Sequence, residues 1–255
     1  MRKVFLLLIA VLTLNSCKNE IECCVNFQPI TVSLKFIHSW DATPILPSEF
    51  NQFKLVTENG ETISIERLRY LLSNIRLING DENYTFSNYT LIDVSDGNEF
   101  TLNLPESLVA GSYQLKFTFG FSDEDNQDGI YQDLNSVNFN VPGMLGGGYH
   151  YMQFDGKYKD PNNTDANFNY HAIRAVDRTD PNNLVFQDTS FEVDLGTLSF
   201  INDSEIIIKV NIAEWFKNPN TWNLNELNTM LMPNFEAQKQ ISENGETVFT
   251  LGDIN

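Results

Sequence analysis

Histidine and cysteine are scarce in this chain, three of each in 255 residues. The cysteines show no C-x-x-C and no regular spacing, so nothing in their placement supports a zinc site. Basic residues are few: 16 Lys and Arg stand against 34 Asp and Glu, for a formal charge of −18. Phosphate binding is driven by neutralisation with Lys and Arg, which excludes nucleic acid as a partner. There is no G-x-S-x-G elbow, no P-loop and no H-E-x-x-H, and no cysteine lies in a catalytic signature with histidine. The carboxylates are too many for an acid/base dyad to be singled out by spacing, so a non-enzymatic protein is expected. No internal repeat, low-complexity tract or composition break divides the chain.

What is present describes a globular protein: 42% hydrophobic and 12% aromatic residues, with 20% charged. The first segment has Arg2 and Lys3, the apolar run "VFLLLIAVLTL" and then "NSC". This is the charged, apolar and small-residue order of a signal peptide. Leu14, Ser16 and Cys17 sit as in a bacterial lipobox, with Asn15 an imperfect fit. The expectation is a lipoprotein signal over residues 1–16, lipidation at Cys17 and a tether over 17–29, which anchors an exported protein to the cell envelope. Loss of Arg2 and Lys3 takes the side-chain charge from −18 to −20. Cys23 and Cys24 fall in the tether, where vicinal thiols can pair, bind a soft metal or do neither.

From residue 30 the chain reads as one all-β domain, an antiparallel β-sandwich with short helical segments near the C-terminus. "ITVSLKFIHSW" alternates, with Val32, Leu34, Phe36, His38 and Trp40 on one face. "FKLVTENGETISI" reads as a hairpin turning at Asn59-Gly60. In "IERLRYLLSNIRLI", Ile65, Leu68, Leu72 and Ile75 suit a helix face, and a short turn leading into a strand is the favoured reading. Further strands are predicted at "YTLIDV", "EFTLNLP", "GSYQLKFTFGF", "HYMQFDGKY", "FNYHAIRAV", "TSFEVDLGTLSF" and "SEIIIKVNI". Two short helices are predicted, at "NLNELNTML" and "NFEAQKQISENG".

The histidines occupy strand-like runs. His38 ends an apolar-faced strand, His150 is read as sharing a face with Met152 and Phe154, and His171 lies in "FNYHAIRA". Imidazole is the commonest transition-metal ligand, and a thioether adds the softness that favours copper. Taken one at a time, each is equally explained as a hydrogen-bonded core residue. The succession "LKFIHSWDATPI", "ERLRYLLSNIRLI", "GSYQLKFTFGF", "GGYHYMQFDGKY", "FNYHAIRA" and "SENGETVFTLG" resembles the MbnP-like family, exported bacterial proteins related to the methanobactin-associated copper-binding protein. The resemblance runs over residues 30–252. It implies a β-sandwich that binds copper through histidines, in some members with a tryptophan oxidised to kynurenine.

On that resemblance the ligands are His38, His150 and His171, with Met144, Met152 and Trp40 as soft or nearby groups. The implied role is copper uptake, storage or delivery, with an envelope transporter or redox partner. Family members often carry a tryptophan shortly before the "GY" of the central motif; "MLGGGYHYM" has none, so a kynurenine from that position is excluded. The glycine triplet would let the backbone bend sharply or approach another strand, setting how Tyr149 and His150 enter. The alternative to a metal protein is an envelope module that binds a protein or glycan through its aromatic surface, Trp215 and Trp222 included.

A second cation is suggested by "FSDEDNQDGIYQDLN". Glu124, Asn126, Asp128 and Gly129 fall on the spacing of a D-x-[DN]-x-[DN]-G calcium loop, with Asp133 beyond. Glutamate stands at its first position and Asn135 where the bidentate glutamate belongs, so the expectation is a looser calcium-binding β-loop.

Overall fold

The computed structural model describes residues 28–97, 99–180 and 182–255. The leader, Cys17 and the Cys23-Cys24 pair lie outside the described residues. Among the described residues no helix is long and apolar enough to cross a membrane.

In chain order the strands are β1 (Val32–Trp40), β2 (Thr43–Pro44), β3 (Leu55–Val56), β4 (Thr62–Asn79), β5 (Glu82–Asp93), β6 (Glu99–Asn103) and β7 (Gly111–Phe119). After helix α1 (Gln132–Ser136) come β8 (Met152–Lys159), β9 (Asp165–Ala172), β10 (Ala175–Asp177), β11 (Val185–Gln187), β12 (Phe191–Phe200) and β13 (Ser204–Asn211). Helix α2 (Phe235–Gly245) and β14 (Phe249–Ile254) close the chain. One sheet runs β14-β13-β1-β2, with β6 also paired to β1; the other runs β12-β7-β4-β8-β9, with β3 and β5 also paired to β4. A separate hairpin joins β10 and β11. The ladders are antiparallel apart from β1 with β13, which run parallel.

The alternation read for β1 is what the strand does: Val32, Leu34, Phe36, His38 and Trp40 are buried, and the residues between them are half-buried. The Asn59-Gly60 hairpin also forms, with Gly60 at φ 95° and its N–H donating to Thr57 O. The segment from Ile65 differs from its reading as a turn before a strand, because β4 is one strand of 18 residues. Its pairing shifts register between Ile65 and Arg67, and again between Ser73 and Arg76, where Asn74 takes φ 51°. Each bulge adds one residue to the period-two pattern. Inward residues therefore recur three apart, Ile65 to Leu68 and Leu72 to Ile75, and imitate a helix face.

The helix predicted at "NLNELNTML" does not form. Asn223 Oδ1 accepts from Asn225 N–H, Leu224 N–H is taken by Glu61 Oε1, and Trp222 Nε1 donates to Leu227 O. These bonds give the backbone partners that a helical ladder would otherwise supply. The helix at "NFEAQKQISENG" is α2, whose Asn234 side chain caps it by accepting from Ala237 N–H.

Aromatic rings fill the space between the sheets. Phe119 touches Tyr70, Tyr151, Phe191, Trp215 and Phe249 at ring separations of 5.0–6.5 Å. Phe216 does the same for Trp40, Phe154, Phe168 and Tyr170. Gly156 on β8 lies so close to β4 that a Cβ there would drive into Ser64 O. Replacing Phe119 by Ala is expected to cost about 3–5 kcal/mol. Urea unfolding checks this, with a shift in midpoint at unchanged m-value.

Candidate functional site

Period-two alternation on β4, β8 and β9 sorts the predicted ligands onto opposite faces of one sheet. Tyr70, Phe154 and Tyr170 point inward, as their ring contacts with Phe249, Phe216 and Trp215 show, and Leu68 beside them is fully buried. Their neighbours Arg67, Arg69, Gln153, Asp155, Asn169 and His171 therefore point outward. Arg67 pairs with Asp155 and Arg69 with Gln153 across the β4–β8 ladder, and Gln153 faces His171 across β8–β9.

His38 belongs to the inner side. It is fully buried, its Nε2 is 2.7 Å from the Tyr70 hydroxyl, and its ring meets that tyrosine edge-on at 5.8 Å. His150 and His171 meet on the outer side, ring centroids 5.2 Å apart and nearly perpendicular. The structure thus brings two of the three predicted histidines together and holds His38 across the sheet from them. Among the described residues no three His, Cys, Asp or Glu side chains converge as a metal-holding group.

His150 is not on the face of Met152 and Phe154 as its sequence position suggested. β8 begins only at Met152, and the residues before it leave a run of three left-handed glycines, Gly146 (φ 113°), Gly147 (φ 66°) and Gly148 (φ 76°). A Cβ on Gly148 would drive into Asn126 Oδ1, the atom that accepts from Tyr149 N–H at 2.7 Å. The triplet therefore serves both uses that glycine has: a conformation closed to other residues, and close approach. It turns His150 outward, against Phe139 and His171.

The tautomers follow from the neighbours. Asp155 is a carboxylate held below the usual range: burial works to raise it, but hydrogen bonds from His171, Asn169 and Arg67 prevail. It can only accept, so His171 Nε2–H donates to Asp155 Oδ1 at 2.8 Å. The Phe139 carbonyl likewise only accepts, so His150 Nδ1–H donates to it at 3.0 Å. Gln153 Nε2, 3.3 Å from that nitrogen, is itself a donor and bonds Asn138 O. The remaining nitrogens, His150 Nε2 and His171 Nδ1, are buried with no hydrogen-bond partner. His150 is pushed down to about 3 by burial, with His171, Arg69 and Arg67 adding to the effect, so the imidazole is neutral. His150, a neutral imidazole with Nδ1 pinned by a carbonyl, and His171, with Nε2 pinned by a carboxylate, each leave their other ring nitrogen without a protein partner, which is how metal ligands are held.

The other predicted groups lie elsewhere. Met152 is fully buried in the core, and Trp40 packs on Phe216 while its Nε1 donates to Val56 O. Met144 is exposed beside Leu145, a residue that lines a cavity of about 390 Å³ reaching His171. Of the calcium-loop residues, Asn126 spends its side chain on Tyr149 N–H and the Tyr151 hydroxyl, and Asp133 accepts from the Tyr89 hydroxyl. With Glu124 and Asp128 they make no group that could hold a metal. Asp155, Met230 and Met232 were missed from sequence, the last two lining the cavity that reaches His171. Asp155's position two residues past Gln153 on a strand was the available signal.

A family model described as MbnP matches residues 29–233. A solved structure, MbnP from Methylosinus trichosporium, is similar at 10% identity with a TM-score of 0.48, over 76% of this chain and 79% of that one. No curated protein matches the chain.

Substituting Gly148 by Ala is expected to cost about 2–4 kcal/mol, the sum of a left-handed alanine and of overpacking against Asn126. Thermal and urea unfolding read the loss; an unchanged midpoint contradicts the role given to this glycine.

Proposed function

We propose, on the premise that the chain belongs to the MbnP family, that it is an extracytoplasmic copper-binding protein for copper uptake, storage or delivery. In this reading its site is the His150–His171 pair and not a set of three histidines. The supporting observation is the pair of bare, buried nitrogens, His150 Nε2 and His171 Nδ1, on rings 5.2 Å apart. A buried polar atom without a partner is costly unless something else occupies it. An ion that accepts both lone pairs removes that cost.

Copper suits this donor set. Imidazole binds copper and zinc alike, but structural zinc asks for four N, S or O ligands, whereas among the described residues two imidazoles meet and no third such ligand joins them. Thioethers along the adjoining cavity add softness that selects Cu(I). When bound, copper supplies the cargo of the protein, and the role is binding and not catalysis. The protein's own part is to keep His150 neutral and both imidazoles oriented. Asp155 holds His171, the Phe139 carbonyl holds His150, and Arg67 anchors Asp155 at 2.6 Å.

In this reading the N-terminal leader is a lipoprotein signal over residues 1–16, and the protein is tethered to the envelope by lipid at Cys17. An envelope transporter or redox partner would then deliver or receive the ion. His38, bonded to Tyr70 in the core, has no part in the site.

Three variants test the assignment. The double variant His150→Ala/His171→Ala should lose copper binding, while His38→Gln, which keeps a polar group facing Tyr70, should bind as the parent does. Asp155→Asn should weaken binding by about 10–100-fold. Copper titration of the purified proteins reads all three; equal affinity in the double variant and the parent would sink the assignment.

A further inference from the structure

The chain has five methionines, and two of them line one opening, with Met144 next in the chain to the lining residue Leu145. Met230 and Met232 line the cavity of about 390 Å³ together with His171, Asn169, Leu145 and Pro233. Met144 is next to Leu145 in the chain and is 84% exposed; Met230 is 77% exposed. Large apolar side chains so open to water contribute little to the core, so burial does not explain them.

Met230 is held in a conformation that opposes its side chain. Its φ is 57°, a left-handed backbone that costs a residue with a Cβ about 1–2 kcal/mol. The surrounding bonds enforce it. Gln238, almost wholly buried, donates from Nε2 to both His171 O and Leu231 O while its Oε1 accepts from Ile173 N–H. Asn169 N–H donates to Asn228 O, and Asn234 N–H to Leu231 O. One buried amide thus clamps the methionine loop to the strand that carries His171. Such over-determined strain at a cavity mouth is the pattern of a functional position.

We infer that Met230 and Met232 form a thioether port that captures Cu(I) at the surface and hands it to the His150–His171 pair. The inference rests on the two-histidine reading and adds to it the path by which the ion enters. Thioether sulfur is a soft, uncharged donor that prefers Cu(I), whereas Cu(II) prefers nitrogen and oxygen. A weak, exposed thioether site followed by two buried imidazoles orders the donors from capture to retention. The ion keeps its oxidation state throughout, so the transfer needs no reductant. A cavity walled mostly by methionine, leucine and proline side chains also offers hydrated ions few hydrogen bonds, which favours an ion that sheds water easily.

The test compares the parent, Met230→Leu/Met232→Leu and His150→Ala/His171→Ala as full-length purified proteins. Methionine to leucine nearly conserves volume, and circular dichroism and urea unfolding confirm that the fold is kept. Each protein is given Cu(I) from a coloured chelator complex, Ag(I) as a redox-inert stand-in, and Cu(II). In the methionine variant, uptake of Cu(I) and Ag(I) should slow roughly tenfold, since the soft donors that capture the ion are gone. Its final stoichiometry and its Cu(II) uptake should match the parent's. Unchanged Cu(I) and Ag(I) rates, or equal slowing for Cu(II), would overturn the port. If the methionine variant behaves as the parent while the histidine variant loses its metal, the port fails and the two-histidine site stands. If the histidine variant still binds as the parent does, the site itself is wrong and the port falls with it.

Discussion

The alternation of side chains along β4 fixes what can meet what in this protein. β4 pairs with β3, β5, β7 and β8, so its register is set from both edges and along its whole length. A slip by one residue would exchange its two faces. With the register as it is, Tyr70 turns in to His38 and the aromatic layer, while Arg67 and Arg69 turn out to Asp155 and Gln153. The sheet thereby separates one histidine from the other two. What looks in the sequence like a set of three is, in space, a core residue and a pair.

The pair itself depends on a short stretch before β8. Three glycines in left-handed conformations, with Asn126 packed against the last of them, bring the chain in so that His150 leaves on the outer face. Arg174 and Arg178 fasten the same loop by donating to Gly146 O and Leu145 O. Each of the two rings is oriented by one acceptor, the Phe139 carbonyl at His150 Nδ1 and the Asp155 carboxylate at His171 Nε2. The other nitrogen of each ring is buried without a hydrogen-bond partner.

Much of the fold was legible, and the failures have physical causes. β1 and α2 were plain because one periodicity runs through each without interruption. β4 was misread because two bulges convert a period of two into gaps of three, and a bulge leaves no mark in composition. "NLNELNTML" has a helical pattern but asparagines that bond their own backbone, together with Glu61 from a distant hairpin. Of the site, the histidines were visible by their rarity and their family resemblance. Their convergence was not, because it depends on which face each strand presents. The glycine triplet was noticed, yet its effect, turning His150 away from Met152 and Phe154, is a matter of φ values that sequence does not carry. The methionines near residue 230 sat in a segment read as helix and loop, with nothing to place it over His171.

The most direct measurement is the protonation pattern of the three imidazoles, read from long-range nitrogen–proton correlations of ¹⁵N-histidine-labelled protein before and after Ag(I). The account predicts His150 protonated at Nδ1 and His171 at Nε2 in the metal-free protein, with Ag(I) shifting His150 Nε2 and His171 Nδ1 and leaving both nitrogens of His38 where they were. The opposite tautomers, or a metal-induced shift at His38 as large as at the other two, would contradict it.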